Sequence, residues 1–185
     1  MIGVIGIRTT IIAELCQLRG IEPLTGCTRL TPGAAAGCAE YVLAGGVIHA
    51  KRASEHSYEE IEECVRVNTS DPILTCEAIL TTEPRARIVV IGSESAYLGS
   101  YDELYAAGKR ELHRYVAMRP TRAGQLLSLV SPPIISDAGM TLRRHDYPAV
   151  LEQRRTVTSR QVAELVNSLL IVGPHRFENR QVVRM

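Results

Sequence analysis

Lysine is almost missing from this chain. Lys51 and Lys109 are the only two in 185 residues, against 19 arginines. Where arginine is the usual carrier of positive charge, a retained lysine points to a need for a compact ammonium with a readily shifted pKa. Paired thiols are missing too. Cys16, Cys27, Cys38, Cys64 and Cys76 are odd in number and form no C-x-x-C motif, the pattern of reduced thiols in a cytoplasmic protein. His49, His56, His113, His145 and His175 are scattered, so no metal site is expected. No apolar run reaches the roughly 18 residues of a membrane span. No basic segment followed by a long apolar block opens the chain, so no signal peptide is expected. A formal net charge of +1 gives no reason to expect a nucleic-acid partner. The arginines at 143, 144, 154, 155 and 160 form a locally basic stretch, which reads as a solvated face.

What remains is an ordinary globular composition, 45% hydrophobic and 22% charged. The length fits one domain over residues 1–185. Apolar segments alternate between two periods. Residues 2–7 are apolar and glycine-punctuated, 10–18 have helical spacing stopped by Gly20, and 21–24 fit a short strand. Residues 31–37 read as a loop, 39–44 as one or two helical turns, and 47–50 as a short apolar run. A helix is expected over 58–67, continuing with an interruption to 80. Further helices are expected over 103–118 and over 158–170, the latter capped by Thr158 or Ser159. Residues 88–91 and 126–130 are unbroken apolar runs, the signature of buried strands. Strand–helix alternation of this kind predicts an α/β fold, a parallel sheet covered on both faces.

The residues that carry chemistry lie in the middle. Ile88-Val-Val-Ile-Gly-Ser93 reads as a strand ending in glycine and serine. Twelve residues after Ser93 comes Tyr105-Ala-Ala-Gly-Lys109. Tyr105 and Lys109 are four apart on a predicted helix, so both leave one face. A phenol titrates near 10 in water, and a neighbouring ammonium is expected to lower that value. The phenol then exchanges a proton with an alcohol or carbonyl oxygen. Ser93, just past a strand end where ligands bind in open sheets, is placed to donate to the same oxygen. Ser95 is the alternative serine. Pro72 has no amide to bond the carbonyl of Asn68. Either Asn68 keeps a free carbonyl at a kink, or two helices break at Asp71-Pro72.

Strand, serine, loop and Y-x-x-x-K in this order resemble the short-chain dehydrogenase/reductase family. The resemblance implies a Rossmann-like, doubly wound parallel sheet, here trimmed in its N-terminal half. It implies catalytic roles for Ser93, Tyr105, Lys109 and Asn68, the asparagine through a relay water. It also implies a nicotinamide cofactor. Gly3 and Gly6 would form a shortened phosphate turn, with Arg8 beside it. Arg29, where an acidic residue is expected, favours NADP over NAD. Ala50 of Val47-Ile-His-Ala50 would line the adenosine side. Pro132 would lie near the nicotinamide, and Lys109 would hold the ribose. If no cofactor binds, the glycines are turn formers only.

Three readings follow. The first is an NADP(H)-dependent oxidoreductase of a small carbonyl or alcohol. The second is a Rossmann-like domain that binds nucleotide weakly or not at all. The third is an interaction subunit. The family pairs the helices equivalent to 58–80 and 103–118 across a two-fold. A homodimer or homotetramer is therefore expected, or assembly with an intact paralogue. Leu74, Ile79, Leu80, Leu112, Tyr115 and Val116 are the apolar side chains expected to serve it.

Overall fold

Five parallel strands make the main sheet, in the order β1, β2, β3, β4, β7. The computed structural model describes residues 2–5, 9–21, 38–144, 151–152, 154–171 and 180–184, the first and last of these as backbone only. The strands are β1 (Ile2–Ile5), β2 (Glu40–Leu43), β3 (Arg87–Ile91), β4 (Leu126–Ser131) and β7 (Arg180–Arg184). Two short strands, β5 (Ile134–Ile135) and β6 (Thr156–Val157), pair beside it. The helices are α1 (Thr10–Arg19), α2 (Tyr58–Val65), α3 (Asp71–Thr82), α4 (Ser95–Leu98), α5 (Glu103–Met118), α6 (Gly139–Leu142) and α7 (Ser159–Ile171). Among the described strands β1 lies at the sheet edge, with β2 as its one neighbour. This is the trimmed N-terminal half that the resemblance implies.

The unbroken apolar strands are explained by what covers them. Val42, Val89, Ile91 and Val130 pack under Ile11, Ile12 and Leu15 of α1 and Val162, Val166 and Leu170 of α7. Tyr41, Leu43, Ile88, Val90, Leu127 and Leu129 pack on the other face under Ile79 and Leu80 of α3 and Leu112 and Val116 of α5. Alternate residues of one strand thus enter opposite cores, as the period of two requires. Ile79, Leu80, Leu112 and Val116 are consumed by this core. Of the six apolar side chains expected to serve an assembly, Leu74 alone is exposed.

The helical turns expected at 39–44 are corrected, and of the two open readings of Asp71-Pro72 the break falls. Residues 39–44 contain strand β2, not helical turns, because Val42 and its neighbours Tyr41 and Leu43 are drawn into the two cores. Residues 47–50 form no regular element. The junction at Asp71-Pro72 is not a break. The helix runs on through a π turn at Arg66–Ser70, in which the Asp71 amide donates to the Arg66 carbonyl. Asp71 is therefore not an N-cap. The one-residue widening lets the helix pass Pro72, whose missing amide would leave a gap in a regular ladder. Elsewhere, Thr158 caps α7, its hydroxyl accepting the Gln161 amide at 3.2 Å. Of the strand expected at 21–24 only Ile21 is described, in no regular element, and the loop expected at 31–37 lies outside the described residues.

Two contacts set where α5 sits. A Cβ on Gly108 would come within 3.1 Å of both Asn68 Cβ and Thr69 Oγ1, so glycine lets α5 press against the π turn. The Thr69 hydroxyl donates to the Gly108 carbonyl at 3.2 Å. Helix α5 is thereby keyed to the π turn.

Candidate active site

The C-terminal ends of β2, β3 and β4 open into a cleft of about 990 Å³. Thr9 and Thr10 at the start of α1 line it, with Gly45 and Gly46 after β2, Ser93 after β3, and Pro132 after β4. Thr9 caps α1, its hydroxyl accepting the Ile12 amide.

Tyr105 and Lys109 reach the cleft one turn apart on α5, both buried. The Ser93 side chain stands near enough to the Tyr105 phenol to draw its pKa down, and Ser95 has no such effect. Ser93 Oγ accepts the Ser95 amide at 3.2 Å. Lys109 Nζ lies 5.8 Å from the Tyr105 ring centroid. It donates to the Gly45 carbonyl at 3.2 Å and to the Ile91 carbonyl at 3.4 Å. Burial pushes its pKa down to about 8, from 10.5, because a desolvated ammonium is disfavoured.

The expectation that the ammonium lowers the phenol pKa is corrected. The Tyr105 pKa is raised, chiefly by burial and further by the Asp102 carboxylate; the Ser93 hydrogen bond and Arg144 pull it down. The phenol is held in its acid form, ready to give a proton.

Asn68 does not line the cleft. Its side chain is fully buried and spent on the backbone. Nδ2 donates to the Val47 carbonyl at 2.9 Å and Oδ1 accepts the Val47 amide at 3.1 Å. Nδ2 also lies 3.2 Å from Cys64 Sγ. Asn68 therefore pins the segment that carries Gly45 and Gly46.

The residues assigned to the cofactor divide. Lys109 and Pro132 line the cleft. Ala50 does not; it adopts a left-handed backbone (φ 55°) and its amide donates to Asp102 Oδ2 at 3.1 Å. Gly3 lies within β1, opposite Tyr41, so any phosphate turn starts later than the glycine spacing suggested. Gly6, Arg8 and Arg29 lie outside the described residues.

Several residues escaped the sequence reading. Asp102 is buried and caps α5, its Oδ1 accepting the Tyr105 amide at 2.9 Å. His113 lies under Ser93: its Nε2 accepts the Ser93 amide at 3.3 Å and sits 3.2 Å from the Ser131 hydroxyl. A Cβ on Gly92 would meet that nitrogen at 2.3 Å, so glycine is required there. The arginine stretch is not simply a solvated face, since Arg143, Arg144 and Arg154 line the cleft.

No family model and no curated protein matches the sequence. Solved structures do match its fold. A protein from Listeria innocua, lin1944, superposes with a TM-score of 0.76 at 11% identity, over 100% of this chain and 98% of that one. A 3-oxoacyl-[acyl-carrier protein] reductase from Brucella melitensis gives 0.75 at 16% identity, over 100% and 88%. A short-chain dehydrogenase/reductase from Saccharomyces cerevisiae gives 0.76 at 15%, over 98% and 94%. The chain has the short-chain dehydrogenase/reductase fold in a shortened form.

Proposed function

We propose that the chain is an NADP(H)-dependent oxidoreductase of a small carbonyl or alcohol. The observation that carries this reading is that Ser93, Tyr105 and Lys109 line one cleft at the strand ends, with Lys109 one turn from Tyr105 and the Ser93 side chain near enough to the phenol to lower its pKa.

The described residues fit a dinucleotide. The N-terminus of α1 opens into the cleft at Thr9 and Thr10, where backbone amides and the helix dipole favour a phosphate. Lys109 Nζ, resting on two carbonyls, is placed to turn to ribose hydroxyls. Pro132 would face the nicotinamide. Arg29 supports NADP over NAD, because a guanidinium pairs with the extra phosphate. The nicotinamide, when bound, exchanges a hydride with the substrate carbon.

The protein's own part is the proton. In reduction, Ser93 donates a hydrogen bond to the carbonyl oxygen and polarises it. Tyr105 Oη gives its proton to that oxygen as the carbon accepts the hydride, leaving a phenolate. Arg144, which favours the ionised phenol, lowers the cost of that negative charge. Solvent then reprotonates the phenolate. Oxidation runs the same steps backwards.

Fluorescence titration with NADPH and NADH tests the reading, together with NADPH-dependent reduction of a carbonyl panel. Saturable NADPH binding and turnover are expected. Failure to bind either cofactor at millimolar concentration would leave the competing reading, a fold that keeps its cleft without the cofactor. Thr10 favours that alternative, because it places a side chain in the first turn of α1, where a phosphate must approach closely. Assembly as a homodimer or homotetramer, or with an intact paralogue, belongs to the proposal and is tested by light scattering.

A further inference from the structure

The arginine-rich stretch divides on folding. Arg160 stays on the outer surface of α7, paired with Glu164 at 3.0 Å and Glu14 at 3.5 Å. Arg143 and Arg144, which follow α6, and Arg154, just before β6, line the cleft. Most other charges there are already engaged. Arg66 pairs with Asp71 at 3.0 Å, Glu63 lies 3.4 Å from His49, and Lys109 rests on backbone carbonyls. Arg143 and Arg154 have no acidic partner among the described residues. Glu94 is the one cleft carboxylate among those residues outside such a pair. The charge of Arg144 favours the ionised form of the Tyr105 phenol, and Arg143 and Arg154 share with it the cleft that Tyr105 lines.

Guanidinium groups sharing one cleft repel each other unless an anion lies between them. In a concave site the low-dielectric walls focus that field outward and draw anions in. The guanidinium fork matches a carboxylate or phosphate through two parallel N–H donors. The cofactor's pyrophosphate has its own place at the start of α1, so these arginines answer a second anion. We propose that the substrate is an anionic carbonyl compound, bearing a carboxylate or phosphate a few atoms from its carbonyl. Arg143 and Arg154 hold the anion while Ser93 and Tyr105 meet the carbonyl oxygen. This deepens the oxidoreductase reading and rests on it.

Two matched pairs of probes separate charge from shape: acetoacetate against methyl acetoacetate, and dihydroxyacetone phosphate against dihydroxyacetone. In at least one pair the anion is expected to exceed its neutral partner about tenfold in kcat/KM, the order expected of one charge-assisted pair. Which pair shows it tells carboxylate from phosphate. In the double variant R143Q/R154Q the preference falls towards one through a raised KM for the anion, and the NADPH dissociation constant stays within about twofold. Arg160→Gln, outside the cleft, keeps the preference. Equal use of anion and neutral partner in both pairs by the wild type overturns the proposal. So does a double variant that weakens NADPH as much as it weakens the anion, for the arginines would then serve the cofactor. If the wild type reduces none of the four probes, the oxidoreductase reading has failed for them, and calorimetry decides the arginine site by itself. Binding of acetoacetate or inorganic phosphate that the double variant loses supports it, and no binding overturns it.

Discussion

One oxygen of the Asp102 carboxylate accepts the Tyr105 amide at 2.9 Å; the other accepts the amides of His49 and Ala50 at 3.0 and 3.1 Å. A single buried side chain thus joins the start of α5 to the chain at residues 49 and 50. Asparagine has one acceptor oxygen, so in Asp102→Asn its NH₂ must face a backbone donor. Each buried group left unpaired costs roughly 1–3 kcal/mol. The variant is expected to melt several degrees lower. It also loses the negative charge that raises the Tyr105 pKa, so the phenol should titrate lower than in the wild type. Carbon-13 NMR of labelled tyrosine reads that shift, and an unmoved titration would contradict it.

Tyr105→Phe keeps the ring and its packing and deletes the one titratable atom. Turnover is expected to fall roughly 10²–10⁴-fold, the usual contribution of a general acid, with little change in melting temperature. Lys109→Arg should also lose activity. Its planar fork cannot reproduce the ammonium held between the Gly45 and Ile91 carbonyls. Steady-state kinetics of both variants checks this, and full activity in the pair would mean that the motif is accidental.

Burying Lys109 makes stability depend on pH. Its folded pKa of about 8 lies below the ordinary lysine value of 10.5, so between these values the unfolded chain binds more protons. Stability from this group therefore rises with pH across that window. Below about 8 the full penalty is present, on the order of 3 kcal/mol; above 10.5 it is gone. Cysteines and tyrosines titrate in the same range, so the comparison needs a reference. Urea unfolding of wild type and Lys109→Met at several pH values between 7 and 10 should show the difference between them shrinking as pH rises.

Gly92→Ala drives a methyl into His113 Nε2, and into Leu129 Cδ2 at 2.9 Å. Overpacking of this kind costs roughly 1–3 kcal/mol. It also moves the imidazole that holds the Ser93 amide. A lowered thermal midpoint together with a fall in kcat is expected. Unchanged values for both would show that the loop yields without cost.

That Ser93, Tyr105 and Lys109 share one cleft was legible because the pattern is local. A strand-Gly-Ser ending and two residues four apart on a helix need no tertiary information. Strands β3 and β4 were legible for a similar reason, being apolar on both faces. Strand β2 was not: four residues amid alanines carry little periodicity, and only the two cores that take up Tyr41, Val42 and Leu43 decide their conformation. Asp102 gave no signal, since its partners at 49 and 50 are half a hundred residues away in sequence. The arginines of 143–154 read as solvated because charge runs usually are. That Arg143, Arg144 and Arg154 line the cleft is a tertiary fact that the local sequence does not carry.

The π turn at 66–70 carries a consequence for how this chain tolerates change in length. One added residue rotates everything downstream by about 100° about the helix axis. The inward aim of Cys76, Ile79 and Leu80 on α3 is thus set by that extra residue. Deleting one residue between 66 and 70 would remove the widening, leave the gap at Pro72 inside a narrower helix, and at the same time turn those three side chains away from the sheet.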